Sequence, residues 1–256
     1  MAENLKHSLL FGDGTLVNGK FTGVDTYKDW HLVPASRPTV AVPGIESKYV
    51  EIPGMDGSVD LSEFLRSGRP AYGNRTGSFN FYVENDHEFW ATLYPKILNR
   101  IQGRKFKMVL EEDDPDYYWD GRFTMDKYDP GEGYYSGVSI SYNVGPFKRK
   151  IRKNSEGMVW DNFNFERDYD DTMLGLERIE LYSEETVTYT IHGDGYPFPL
   201  EATGLYGTIY VTFGGEENVQ VNAGVSKKIG HAEYGENTIT LTGTGVISLD
   251  WRGGSL

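Results

Sequence analysis

Apolar and polar residues alternate with a period of two over much of this chain, which is the side-chain spacing of a β-strand with one buried face. In the first half the alternation is clearest in Phe79-Phe81-Val83, Phe106-Met108-Leu110 and Val138-Ile140-Tyr142. In the second half it continues through 178–182, 186–191, 208–213, 219–221, 237–241 and 246–251. Glycine supplies 31 of the 256 residues, against about 7% in average proteins, so tight turns can join these segments. The sequence therefore predicts a mainly β protein.

One segment has helical spacing instead. Its apolar residues recur three and four positions apart, at Phe89, Trp90, Leu93, Ile97, Leu98 and Ile101. Asp86 suits the N-cap of such a helix and Gly103 suits the position after its C-terminus. Pro95 lies inside the segment and lacks a backbone N–H, so we expect it to kink or break the helix.

The charge of the chain divides into three parts. Residues 1–147 carry a net charge of −6 and residues 154–256 carry −12, whereas residues 148–153 carry +5. We therefore predict an N-terminal domain over 1–147, a basic linker over 148–156 and a C-terminal domain over 157–256. The chain has no cysteine, which excludes disulfides and thiolate metal sites. It also has no apolar run near the roughly 18 residues of a membrane helix, so we expect no membrane insertion.

Two turn dipeptides, Pro53-Gly54 and Asp56-Gly57, lie three residues apart between strand-like segments. Proline presets the backbone for a turn, and glycine can adopt positive φ because it has no Cβ. The stretch 49–62 is therefore expected to form a strand, a double turn and a second strand.

Four blocks of sequence, in this order, resemble the distal tail (Dit) family of long-tailed bacteriophages. They are 29–38 (DWHLVPASRP), 49–62 with its IPG-x-DG-x-x-DL loop, 72–82 with its R-x-G-x-F-x-F strand, and 110–122 (LEEDDPDYYWDGR). The residues that carry the resemblance are Trp30, Pro34, Arg37, Pro38, Pro53, Gly54, Asp56, Gly57, Asp60, Leu61, Arg75, Gly77, Phe79, Asp113, Asp114, Pro115, Tyr117, Tyr118 and Gly121. No family motif is found beyond about residue 147.

The resemblance implies a structural hub of a phage tail tip or baseplate, without catalysis or a cofactor. It implies an N-terminal, β-barrel-like domain with one helix that closes into a homohexameric ring, and a C-terminal galectin-like β-sandwich that faces outward. The implied partners are the tail tube protein, a tail-associated lysin or fibre protein and, in some members, a receptor-binding protein. The implied location is the virion tail tip, after assembly in the cytoplasm of the bacterial host.

A carbohydrate-binding adhesive module is the competing function, because exposed aromatic rings stack on sugars and fold alone does not fix function. Its ligand would be cell-wall carbohydrate of the host, bound by the C-terminal sandwich. Tyr196-Pro197-Phe198-Pro199 is the best candidate for an exposed aromatic loop, since two prolines exclude it from a central strand. Tyr196 and Phe198 would then be its recognition residues.

Two further patterns resemble sites of other chemistry. Residues 14–20 (GTLVNGK) match a phosphate-binding P-loop, but Phe21 stands where the motif needs a hydroxyl, and Asn18-Gly19 favours a hairpin. Glu111, Glu112, Asp113, Asp114 and Asp116 form a dense carboxylate cluster. Paired acids serve glycosidases and clustered oxygens bind calcium, yet the spacing matches no calcium loop, and a solvated acidic turn is the favoured interpretation. An enzyme is the third choice, and two acidic domains are not expected to bind nucleic acid stably.

Overall fold

The computed structural model describes residues 7–17, 20–62, 64, 70–84, 87–129, 135–153, 176–193 and 197–256. The chain divides into two compact units, Met1–Lys148 together with Leu256, and Arg149–Ser255. Strands dominate both units and one helix lies in the first, so the predicted fold class is confirmed.

The first unit is built from thirteen strands and a helix among its described residues. They are β1 Leu9–Gly12, β2 Leu16–Val17, β3 Lys20–Phe21, β4 Val24–Asp25, β5 Leu32–Pro34, β6 Ile45–Glu46, β7 Tyr49–Glu51, β8 Ser58–Asp60, β9 Ala71–Tyr72, β10 Arg75–Glu84, α1 His87–Ile101, β11 Arg104–Leu110, β12 Asp114–Asp129 and β13 Tyr135–Val144. Seven of the strands form the main antiparallel sheet in the order β4-β1-β11-β12-β13-β10-β5. The alternation seen in the sequence sets its register: Phe79 lies opposite Ile140, and Phe81 opposite Val138.

The main sheet curves into a half-barrel, which we call the barrel, and α1 packs on its concave side. Trp90, Leu93, Ile97 and Ile101 on one helix face are buried against aromatic residues of the sheet, including Phe11, which meets Phe123 edge to face at 4.9 Å. The helix gains its stability from this apolar face, as its spacing predicted.

Pro95 does not break α1, which continues from His87 to Ile101 as one element, so of the two expected effects, a kink or a break, the break is wrong. The carbonyl deprived of its partner belongs to Ala91, and both Ala91 and Pro95 are exposed, so water can replace the missing hydrogen bond. Gly103 ends the helix as predicted, with φ +64° and its N–H 3.0 Å from the Phe123 carbonyl. Asp86 lies outside the described residues.

The P-loop-like segment forms a hairpin, as favoured from its Asn-Gly dipeptide. β2 and β3 pair antiparallel, with Leu16 opposite Phe21 and Val17 opposite Lys20. The turn residues themselves lie outside the described part of the chain. A phosphate loop needs a helix after the lysine, and here the lysine begins a strand.

The second unit contains seven strands among its described residues: β14 Lys148–Lys150, which begins at the unit boundary, β15 Ile179–Gly193, β16 Leu200–Phe213, β17 Glu216–Asn222, β18 Ser226–Ile229, β19 Gly235–Asp250 and β20 Gly254–Ser255. Five of them form a sheet in the order β15-β19-β16-β17, with β18 also paired to β16. β19 buries alternate residues, among them Ile239, Leu241, Ile247 and Leu249, against a core that includes Trp251.

The predicted breaks in this unit are wrong at two places. Segments 178–182 and 186–191 belong to the single strand β15, and 237–241 and 246–251 lie mostly on the single strand β19. In β15 the register shifts between Leu181 and Glu185, where Ser183 and Glu184 have positive φ. A bulge bends the strand without ending it. It therefore interrupts the alternation of apolar and polar residues in the sequence in the same way as a turn would.

The described part of the basic run 148–153 takes part in strand pairing and ion pairs, and the linker over 148–156 stays a prediction. β14 pairs with β20, and the Lys153 ammonium lies 2.6 Å from an Asp250 carboxylate oxygen. Lys148 lies 2.7 Å from Asp114 Oδ2. The Arg252 guanidinium donates to the carbonyls of Lys150 and Ile151. These carboxylates neutralise part of the positive charge of the run. Repulsion between its cations therefore no longer favours an extended, solvated chain. Residues 154–156 lie outside the described part.

Gly245 gives the first test, because β16 and β19 approach closely at this point. Its φ is +154°, and a Cβ would lie 2.2 Å from the Tyr206 carbonyl oxygen. We expect Gly245→Ala to lower the free energy of unfolding by about 3 kcal/mol or more, from backbone strain and steric overlap together. Gly215→Ala is the control, because φ there is +86° but no atom lies within 4 Å of the added Cβ. Its cost should be near 1 kcal/mol, and equal losses in urea unfolding would refute the close approach.

Candidate functional site

Residues 42–62, which we call the arm, extend from the first unit as a narrow ribbon. β6 pairs with β9 through Ile45 opposite Tyr72, and beyond it β7 pairs with β8 through Tyr49 opposite Asp60. Both ladders have two strands, and nearly every residue of the arm is exposed. The block 49–62 of the sequence resemblance is thus the outer part of this arm.

The tip and base of the outer hairpin are fixed by local hydrogen bonds. Gly54 and Gly57 both have φ +86°, so the double turn has the backbone that the sequence predicted. At the base, Leu61 N–H donates to the Lys48 carbonyl and Lys48 N–H donates to Ser62 Oγ. The Ser62 hydroxyl and N–H also donate to Asp60, and the hydroxyl bond is the main cause that lowers the pKa of Asp60.

The arm exposes large apolar side chains. They are Val42, Ile45, Tyr49, Val50, Ile52 and Met55, and Phe64 follows just beyond the arm; Val42 is 85% exposed and Phe64 79%. An isolated two-stranded hairpin is only marginally stable in water, and a contiguous exposed apolar surface marks an interaction site. The geometry of the arm therefore favours a role in binding another protein surface.

Arg75, from the third block, fixes the root of the arm. Its Nη1 donates to the Ala41 carbonyl at 3.0 Å and its Nε donates to the Pro146 carbonyl at 2.8 Å. The guanidinium carbon lies 4.6 Å from the centroid of the Trp119 ring. Ala41 N–H donates in turn to the Tyr142 hydroxyl at 2.9 Å. Both backbone groups of Ala41, the residue before the arm, are thus bound by side chains of the main sheet.

The burial of Arg75 is unusual for a cation, since only 5% of the residue is exposed. Burial lowers the pKa of Arg75, and no carboxylate is paired with it among the described residues. Two carbonyls and an aromatic face replace part of the hydration of the guanidinium, a role that its planar fork serves better than an ammonium would. Its Nη2 is buried with no hydrogen-bond partner among the described residues.

Of the acidic cluster, Glu111, Glu112 and Asp113 form a turn, whereas Asp114 and Asp116 already belong to β12. Glu111, Asp113 and Asp114 are paired with cationic side chains, so the predicted solvated turn is wrong for these three residues. Arg37 Nε donates to Asp113 at 2.6 Å, and His7 Nδ1 lies 3.2 Å from the other oxygen of Asp113. Glu111 lies 3.0 Å from the Lys28 ammonium and accepts a hydrogen bond from Ser8. These partners of Glu111 and Asp113 are more than 70 residues away in sequence, so no local pattern could indicate them.

The remaining motif residues support the barrel. Trp30 stacks on Phe11 in the core, and Pro34, Pro38 and Tyr118 are also buried. Phe79 stacks on Tyr142 with centroids 4.7 Å apart, and a Cβ on Gly77 would lie 2.5 Å from the Tyr142 hydroxyl. Gly121 lies close to the Asn143 carbonyl.

The other residues of the fourth block lie nearer the surface. Tyr117 faces the Lys148 ammonium, which pairs with Asp114, and Pro115 is exposed. Three blocks thus meet on the barrel, whereas Pro53, Gly54, Asp56, Gly57 and Asp60 lie on the arm.

The predicted aromatic loop of the second unit is wrong at Phe198, which is 2% exposed. Tyr196 lies outside the described residues. The flanking prolines do exclude this segment from a strand, but a proline removes only a backbone donor and leaves its neighbour free to enter the core. The Phe198 carbonyl accepts a hydrogen bond from Ala232, which fixes it there.

Within the described ranges, no group of three or more potential ligand side chains is placed to hold a metal ion. No described helix is both long and apolar enough to cross a membrane.

No family model matches the chain, and no curated protein matches it in sequence. Among solved structures, it is similar to the Dit protein (gp 19.1) of phage SPP1, described as a paradigm of the hub adsorption apparatus in phages that infect Gram-positive bacteria. The two are 13% identical with a TM-score of 0.51, and the match covers 97% of this chain and 99% of that one. A chain of the phage p2 baseplate, in its activated conformation with Sr, matches at 11% identity over 97% and 98%. Its TM-score of 0.39 is too low to support an inference. The Dit-like fold implied by the sequence resemblance is thus shown across nearly the whole chain.

Arg75 gives the second test. We expect Arg75→Met to lower the free energy of unfolding by about 2–4 kcal/mol, because the partly buried carbonyls of Ala41 and Pro146 lose a charged donor while the apolar contact with Trp119 remains. Arg37→Met is the matched control, since its ion pair with Asp113 is largely exposed on the arginine side. Such pairs contribute at most about 1 kcal/mol. Urea unfolding measures both, and losses of equal size would show that Arg75 does not anchor the arm.

Proposed function

We propose that this chain is a structural, non-enzymatic subunit of the hub at a bacteriophage tail tip or baseplate. Six copies form a ring through the first unit, and the ring joins the tail tube to the host-adhesion apparatus. The observation that carries the proposal is the exposed apolar arm on a barrel whose own core is complete. The Dit-like fold and the four-block sequence resemblance support it, since both point to the same family.

The arm supports a ring because of the kind of contact that it makes. A projecting hairpin fits a different surface on the next copy, which is a heterologous contact, and such contacts close into a ring when the rotation between copies permits. The alternative of two arms pairing with each other would give a twofold dimer.

The second unit is proposed to face outward and to bind the tail-associated lysin or fibre protein, and in some assemblies a receptor-binding protein. The protein then resides in the virion, after assembly in the cytoplasm of the host. Both parts of the chain are acidic, at −6 and −12, so the ring has no long-range attraction for DNA that passes through it.

Carbohydrate binding by the second unit remains a second candidate function on one observation. Tyr182, Tyr206 and Tyr210 are exposed on its sheet, and exposed aromatic rings can stack on sugars. Titration of the intact protein with cell-wall fragments tests this function. Binding that is lost in Tyr182→Ser and Tyr206→Ser variants would support it, and no binding would remove it.

The third test is the mass of the assembly. Light scattering on the purified protein should approach about 173 kDa as concentration rises, which is six times the 28.9 kDa of one chain. Replacing Ile52 and Met55 by aspartate should shift the mass to that of the monomer, because charged groups then occupy the apolar face of the arm.

Tyr182→Ser with Tyr206→Ser is the control, since these residues are as exposed as those of the arm but lie in the second unit. This variant should assemble as the unmodified protein does. A discrete dimer or tetramer of the unmodified protein would contradict the ring.

A further inference from the structure

A cluster of cations lies where α1 turns into β11, in an otherwise acidic protein of net charge −13. The cluster, which we call the basic end, consists of Lys96, Arg100, Arg104, Lys105 and Arg122, and all five residues are exposed. Leu98 on the same stretch of helix is exposed as well.

The geometry of the basic end leaves most of its charge uncompensated. Lys105 lies directly opposite Arg122 on the neighbouring strand, and like charges at such positions repel. Arg122 donates to the Gly103 carbonyl, and the Arg100 guanidinium lies 5.9 Å from the centroid of the Phe106 ring. Among the described residues, Lys105 with Asp120 at 3.2 Å is the one ion pair that the five cations form. The surface is therefore preorganised for an anionic partner.

The arm carries the opposite charge. It has four carboxylates, Glu46, Glu51, Asp56 and Asp60, against Lys48, and all five are exposed. Within the part of the chain that the structure describes, none of these carboxylates forms an ion pair. They lie between the exposed apolar residues of the same ribbon, so charge and apolar surface would be covered together.

The arm and the basic end are separate surfaces of one unit. The arm is rooted beside β10 through β9, whereas the basic end lies on β11 and β12, and the sheet order is β10, β13, β12, β11. Two to three strand spacings of about 4.8 Å therefore separate them, roughly 10–14 Å across the sheet. Two complementary surfaces at different positions on one molecule favour a head-to-tail contact between copies.

We propose that the arm of one copy docks on the basic end of the next, which makes this contact the interface of the ring; the inference rests on the proposed function. The apolar residues of the arm supply most of the affinity, because exposed ion pairs are individually weak. The charges select the partner surface and align the arm on it. Association should accordingly weaken with added salt.

Two charge-reversed proteins test the docking. One carries Arg104→Glu, Lys105→Glu and Arg122→Glu on the basic end, and the other carries Glu46→Lys, Glu51→Lys and Asp56→Lys on the arm. Each alone opposes like charges at every contact, so we expect its association to be weakened at least tenfold. An equimolar mixture restores attraction at every contact, because unmodified arms meet unmodified basic ends and reversed arms meet reversed ones. Light scattering of the mixture should recover the hexamer mass, with the two proteins alternating around the ring.

The mixture also controls for folding, since a variant that failed to fold could not be rescued by a second one. Lys227→Glu with Lys228→Glu, two exposed residues of β18 in the second unit, reverses charges elsewhere and should leave assembly unchanged. If the unmodified protein forms rings and the reversed proteins form them equally well alone, the docking is refuted and the ring stands. Weakened variants that the mixture does not rescue refute the docking too. If the unmodified protein stays monomeric at all concentrations, both proposals fail.

Discussion

An isolated two-stranded hairpin is only marginally stable in water, and the outer part of the arm is exposed as such a hairpin among the described residues. Its strands β7 and β8 pair with each other alone, and its apolar residues face solvent. The barrel cannot cover them, because its concave side is already filled by α1. Whatever stabilises the arm must therefore come from another surface. The exposed hairpin is for this reason an argument for a binding function of the arm.

The barrel contributes a fixed origin for the arm. Arg75 binds the carbonyl of Ala41 while the Tyr142 hydroxyl binds its N–H, so the first residue before the arm is held by two side chains of the sheet. A buried arginine is costly, and here it is compensated by carbonyls and by the face of Trp119. The arm leaves from a rigid base, which limits the directions in which it can reach a neighbour. Ring closure depends on such a fixed direction, because a variable angle between copies would give open chains.

Local patterns predicted the parts of this fold that depend on neighbours in sequence. The helical spacing from Phe89 to Ile101 and the glycine at 103 gave α1, and the turn dipeptides gave the backbone of Gly54 and Gly57. Contacts between residues far apart in the sequence could not be predicted from local patterns. Arg37 contacts Asp113, and Lys28 contacts Glu111, because of the order of the strands in the folded sheet. Phe198 shows a related limit, since prolines indicate where a strand cannot form but not where a side chain is buried. The exposure of the arm could not be predicted either, because Val50 and Ile52 have the alternating spacing that is typical of buried strand residues.

The measurement that tests the central claim most directly is hydrogen exchange of the arm amides in dilute and in assembled protein. If the arm is the assembly surface, peptides covering residues 42–62 should exchange rapidly in the monomer and become protected on assembly. Peptides from β17 in the second unit should exchange at the same rate in both states. Arm amides that exchange equally fast in monomer and assembly would contradict the account, because the exposed hairpin would then have gained no partner.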